Sequence, residues 1–108
     1  MSRADLDRLR DIAAACAAIE SYIQRTSADD DLVFDAIRVR LIEIGEAVKD
    51  VDTALLDREP DIPWTEISRM RDHLTHRYFD TPHSMVRTTA KVDVPFLAAA
   101  VERLLNEA

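Results

Sequence analysis

From Leu6 onward the apolar residues return every three or four positions, through Leu9, Ile12, Ala13, Cys16, Ile19 and Ile23. Such spacing puts them on one stripe of a helix of about six turns. Val33, Ile37, Leu41, Ile44 and Val48 repeat the pattern to about residue 50. Two stripes of that length each need apolar cover, and the nearest cover is the other stripe, packed antiparallel as a hairpin. A single glycine, Gly45, and four prolines punctuate the 108 residues, while Ala, Leu, Arg, Asp and Glu dominate. The fold class is therefore all-α.

Local signals set the expected boundaries. Ser2 with Asp5 resembles a capping box at the start of the first helix, which should break near Thr26-Ser27. Asp29, Asp30 and Asp31 supply a cap and favourable charge for the second helix. A connection with a short turn at Ala54-Leu55-Leu56 follows and closes at Pro60 and Pro63. The third helix is expected to take Asp61 as cap and to run from Pro63 or Trp64 to about Tyr78. Asp80-Thr81-Pro82 ends it and opens a shorter helix through Met85, Val86 and Ala90. Asp93 and Pro95 should break or kink that helix before a last one lined by Phe96, Leu97, Val101, Leu104 and Leu105. The expectation is one domain over residues 1–108, an antiparallel bundle of about four or five helices.

A formal net charge of -7 argues against general electrostatic binding of nucleic acid. The charge is uneven, however. Residues 64–91 hold Arg69, Arg71, Arg77, Arg87 and Lys91 against Glu66, Asp72 and Asp80, and they also hold all three histidines. No apolar run approaches the ~20 residues needed to cross a bilayer. The first residues lack the pattern of a signal peptide, and the expected setting is cytoplasmic, with no membrane contact. Cys16, the one cysteine, falls on the first apolar stripe and reads as a small buried hydrophobe.

The chemistry concentrates in Arg71-x4-His76-x-Tyr78, which sets a permanent cation, a group that titrates near neutrality and a phenol within a short run. With Ile67 at zero on a continuous helix, Arg71 falls at about 40° and Tyr78 at about 20°, but His76 at about 180°. Ile67, Met70, Leu74, Tyr78 and Trp64 make one apolar stripe, and Arg71 lies inside it. Either Arg71 snorkels or pairs with a buried carboxylate such as Glu46, or the helix frays near Thr75, or two chains meet along this face. On the first reading His76 is a surface histidine and Tyr78 a core aromatic with its hydroxyl at the rim. On the others an arginine and a histidine come to one phosphate.

The stretch resembles the HEPN superfamily in its HepT-like branch, whose mark is Arg, a polar residue, three further positions, His, any residue, Tyr. Here these are Arg71, Asp72, His73-Leu74-Thr75, His76, Arg77 and Tyr78. Trp64 ahead of the motif, Phe79 after it, Ile42-Glu43-Ile44-Gly45-Glu46 on the second helix and Asp93-Val94-Pro95 before the last also look like that branch. The likeness covers roughly residues 5–106. Asp72 departs from the Asn more usual there.

The resemblance implies a homodimeric HEPN-like bundle that acts as a metal-independent endoribonuclease, the toxin of a type VII-like toxin–antitoxin pair, with no metal or cofactor. His76 is then the residue of proton transfer, Arg71 the phosphate and transition-state cation, and Asp72 the group that orients or tunes them. Arg69, Arg77, Arg87 and Lys91 are expected as secondary RNA phosphate contacts, and His73 and His83 as solvated bystanders. In this branch the motif tyrosine is where a cognate minimal nucleotidyltransferase antitoxin attaches AMP, which points to Tyr78. A non-catalytic helical partner that assists a nucleotidyltransferase is the alternative.

Overall fold

Ser2 Oγ accepts the backbone N–H of Asp5 at 3.0 Å, and α1 (Arg3–Arg25) starts there. The structure is a computed structural model that describes residues 1–25 and 30–107. α2 (Asp31–Asp50) starts at Asp30, whose carboxylate accepts from the N–H groups of Leu32 and Val33 at 2.9 and 3.3 Å. The expected break at Thr26-Ser27 and the contribution of Asp29 lie outside the described residues. At the far end of the hairpin the Asp5 carboxylate accepts the N–H of Asp52 at 3.1 Å. The start of α1 thus sits beside the end of α2, and the pair is antiparallel.

The core is built from both expected stripes. Leu9, Ile12, Cys16 and Ile19 of α1 meet Ile37, Leu41, Ile44 and Val48 of α2, and all are buried. α6 (Val94–Asn106) adds Leu97, Val101 and Leu104 and packs on α1. Burial pushes the Cys16 thiol up to about 12, with Glu20 adding to the effect, so it stays protonated and unreactive near neutrality.

α3 is the short turn Thr53–Leu56, and α4 (Trp64–His76) lies on α2. Asp61 does not cap α4. Pro63 occupies that position and makes no side-chain cap hydrogen bond. The helix start is pinned instead by the Trp64 indole N–H, which donates to the carbonyls of Leu56 and Glu59 at 3.0 and 3.1 Å. Arg103 of α6 clamps the same connection through Glu59 at 2.6 Å.

Of the break or kink expected at Asp93 and Pro95, a break is absent and the helix is locally distorted instead. α5 (His83–Thr88) runs through a π-helical turn, Thr89–Asp93, straight into α6. Pro95 has no N–H, and in a regular helix its ring would meet the carbonyl four residues back. The wider turn, in which the N–H of Val94 bonds to Thr89 O, absorbs that conflict. Among the described residues there is no strand, and no helix is long and apolar enough to cross a membrane.

Candidate active site

Arg71 reaches its position because Gly45 lets α4 approach α2 closely. A Cβ on Gly45 would lie 2.3 Å from Arg71 Cβ and 3.1 Å from Ile67 O. No ordinary side chain fits there. Beside that crossing the Arg71 side chain is 25% exposed, with Nε 2.8 Å from Glu46 Oε2 and Nη1 3.1 Å from Asp72 Oδ1. The Nε–H is not aimed at the Glu46 oxygen, so that contact is an ion pair without a hydrogen bond. Lys49 Nζ also reaches Asp72 Oδ1, at 2.6 Å. Lys49 first and Arg71 second hold the Asp72 carboxyl below its ordinary value, so it is ionised near neutrality. The expected pairing with Glu46 is present, but the Glu46 side chain is exposed rather than buried.

The helix stops at His76 rather than at Tyr78. Arg77 leaves helical geometry at φ −135° and ψ 38°, and Tyr78–Asp80 form a 3₁₀ turn. Several local groups favour this stop. Thr75 Oγ1 donates to Arg71 O at 2.8 Å, a side-chain bond that competes with regular helix. Arg77 and Asp80 pair across the turn, and Pro82 keeps Thr81 extended. The regular step of about 100° per residue fails past His76. Tyr78 therefore leaves the apolar stripe and stands 60% exposed, as an aromatic of the surface rather than the core. His76 is exposed at the helix end, and its side chain makes no hydrogen bond or ion pair among the described residues.

Arg38 of α2 belongs to this site and was missed in the sequence. Its Nη1 donates to Leu74 O at 3.2 Å, satisfying one of the carbonyls left open at the end of α4. Its guanidinium lies 5.5 Å from the centre of the Tyr78 ring. One side chain thus ties the end of α4 to the turn beyond it, with His76 between the two contacts.

The remaining cations are dispersed. Arg69 pairs with Glu66 at 2.8 Å on the exposed side of α4. Arg77 lies over Phe79, 5.4 Å from its centre. Arg87 and Lys91 belong to α5 and the π turn, whose main packing partners are α2, α1 and α6. His73 is half-buried. His83 is not a bystander in water: its ring stacks on Phe34 at 3.9 Å and 16°, so it helps to seat α5 on α2. An apolar groove of about 290 Å³ runs between α2, α4 and α6, with Ile67, Met70, Leu97 and Phe96 among its walls. Neither Arg71, His76 nor Tyr78 lines it.

An all-α bundle with this arginine–histidine–tyrosine end to α4 has the makings of a HEPN-type ribonuclease. Residues 12–104 match the family described as ribonuclease HepT-like. The chain belongs to that family. It is 38% identical to a protein of Thermococcus cleftensis named as a probable ribonuclease HepT, over 96% of this chain and 98% of that one. A protein of Caldanaerobacter subterraneus named as a candidate RNase is 31% identical over 92% of each chain. A further candidate RNase, from Methanocaldococcus jannaschii, is 37% identical over 64% of this chain and 58% of its own length. No solved structure matches significantly.

Proposed function

We propose that the protein is a metal-independent endoribonuclease in which His76 transfers protons and Arg71 holds the scissile phosphate. The observation that carries this reading is the end of α4 at His76. It leaves the imidazole and the Tyr78 phenol exposed just beyond the Arg71 network. In the reaction a histidine takes the 2′-OH proton, the 2′-oxygen attacks phosphorus, and the bond to the 5′-oxygen breaks as that oxygen gains a proton. The products are a 2′,3′-cyclic phosphate and a 5′-hydroxyl.

Arg71 offers fixed donors to the charge that grows on the phosphate oxygens, and Asp72 keeps that guanidinium oriented. A single His76 cannot serve as acid and base in one step, so the reading includes a homodimer in which two copies of this turn meet. Arg69, Arg77, Arg87 and Lys91 are the secondary phosphate contacts.

The same reading makes the chain the toxin of a toxin–antitoxin pair, acting on cytoplasmic RNA. Its cognate minimal nucleotidyltransferase silences it by placing AMP on Tyr78. A phenol that is 60% exposed beside Arg38 suits that role, because the added bulk and charge block RNA.

Cleavage of RNA in the presence of a chelator, with cyclic-phosphate ends on the products, is the expected result. His76→Ala and Arg71→Ala should each abolish it. If the wild type and both variants are equally inert toward RNA and toward growth, the nuclease reading is lost. Mass spectrometry of Tyr78 after co-expression with a minimal nucleotidyltransferase tests the modification.

A second reading, a non-catalytic partner of a nucleotidyltransferase, is favoured by one observation: Arg71 already faces two carboxylates, Glu46 and Asp72. Asp72→Asn separates the two. Reduced cleavage by Asp72→Asn supports a nuclease whose Arg71 is oriented by this carboxylate, whereas no cleavage by either form supports the partner.

A further inference from the structure

The 3₁₀ turn after α4 exposes two adjacent aromatic rings, whereas Leu32 and Phe96, the other strongly exposed large apolar residues, stand apart from it. Tyr78 is 60% and Phe79 67% exposed. The two rings meet edge to face, with centres 5.8 Å apart and planes at 84°. Each has a guanidinium against it, Arg38 at 5.5 Å from the Tyr78 centre and Arg77 at 5.4 Å from the Phe79 centre. The Arg38–Tyr78 contact has an evident structural use at the end of α4. The Phe79 contact has none, because Phe79 covers no core residue and caps no helix.

We propose that Phe79, backed by Arg77, is a base-stacking subsite for an unpaired nucleotide of single-stranded RNA next to the scissile phosphate. Every nucleobase has a π face, so an exposed ring holds any of them, and a cation behind the ring strengthens the stack. The charge around the rings leaves room for a phosphate at Arg38, which spends one donor on a neutral carbonyl, while Arg77 is paired with Asp80. His76 lies three residues before Phe79 and ends the preceding helix, and the proposal places the phosphate next to the stacked base at that imidazole.

A paired base cannot offer its face to the ring, which makes single-stranded RNA the substrate class. The inference rests on the ribonuclease reading and adds the form of its substrate. It also gives a physical account of silencing at Tyr78, since the adenine of an attached AMP is tethered within reach of the same ring.

The test uses the full chain and a fluorescently labelled single-stranded RNA whose riboses are 2′-O-methylated, so that binding is read without cleavage. A duplex of the same sequence is the control. Loss of a stacked base typically costs about tenfold in affinity. Phe79→Ala should weaken single-strand binding by about that factor and leave duplex binding unchanged, while Phe79→Trp should restore it.

Equal single-strand affinity for wild type and Phe79→Ala overturns the proposal. So does a loss of binding by Phe79→Ala that sedimentation traces to dissociation of a homodimer, because the ring is then an interface between copies. Cleavage of unmodified RNA is measured in parallel. Binding that depends on Phe79 without cleavage loses the nuclease reading alone, and cleavage that ignores Phe79 loses the subsite alone.

Discussion

The α1–α2 hairpin and the end of α4 are built to opposite standards. In the hairpin, long stripes of Leu, Ile and Val are buried almost completely, and the caps at Ser2 and Asp30 are satisfied by their own side chains. α4 commits only one fully buried side chain, Leu74, to the core, with Ile67, Met70 and Trp64 half-covered. Past Leu74 the chain spends its residues on an exposed histidine, two exposed rings and an arginine paired across the turn. Stability is concentrated in one region and chemistry in the other. Gly45 is the seam where they touch.

That division is sharpest in paired substitutions. Leu41→Ala in the hairpin should cost about 2–5 kcal/mol, the usual range for a buried leucine whose cavity cannot collapse. His76→Ala should change stability by no more than about 0.5 kcal/mol while abolishing cleavage. Urea denaturation of both proteins measures the contrast, and a His76→Ala protein as unstable as Leu41→Ala would erase it.

Gly45→Ala probes the seam itself. Alanine gains about 1 kcal/mol in helix propensity over glycine. Against this, its Cβ would lie 2.3 Å from Arg71 Cβ, which is fixed to the α4 backbone and cannot swing aside. Overpacking of that kind costs about 1–3 kcal/mol, so the net expectation is a loss. Cleavage should fall further than stability does, since Arg71 moves with α4. A Gly45→Ala protein with wild-type melting and wild-type cleavage would show that the two helices part freely.

The hairpin was legible in the sequence because its causes are local: stripe periodicity, Ser2 and Asp30 all act within a turn or two. The family was legible from the motif and its Gly45-Glu46 companion. The end of α4 was legible only as one alternative, a fraying near Thr75. A constant step of about 100° per residue assumes the helix continues, and nothing as plain as a glycine marks the stop after His76. The bond from Thr75 to Arg71 O and the Arg77–Asp80 pair supply that stop, and both use residue types equally at home inside helices. Arg38 was invisible for another reason: its partner, the Leu74 carbonyl, lies 36 residues away on a different helix. Pro95 announced a lost hydrogen bond but not that a π turn would absorb it.

Arg38→Met tests how far the scaffold disciplines the site. Methionine keeps an apolar stem but loses both the bond to Leu74 O and the cation over Tyr78. The expected cost is about 1 kcal/mol, confined to the end of α4. Amide hydrogen exchange should quicken at Arg77 and Tyr78 and stay unchanged in α1 and α2. Uniform quickening throughout would mean that the turn and the hairpin open together.

The smallest effect is an acid one, and it reaches both regions. Asp5 is held below its ordinary value of 3.8 by the N–H of Asp52 first and by Ser2 second. Asp5 is 9% exposed, so hydrogen bonding outweighs the opposing effect of burial. Asp72 is lowered by Lys49 and then Arg71, and Glu59, from 4.5, by Arg103. All three bind protons less readily folded than unfolded. Their contribution is therefore complete above the ordinary values and is lost as pH falls through the lowered ones. Melting temperature should hold down to about pH 5 and then decline. Asp5→Asn should flatten the decline in global melting because Asp5 joins α1 to the end of α2. Asp72→Asn should leave that decline nearly intact, since its partners lie on the exposed seam where water screens them. Equal flattening by the two substitutions would place Asp72 within the scaffold's cooperative unit, and the boundary between the regions would then lie beyond Gly45, at the end of α4.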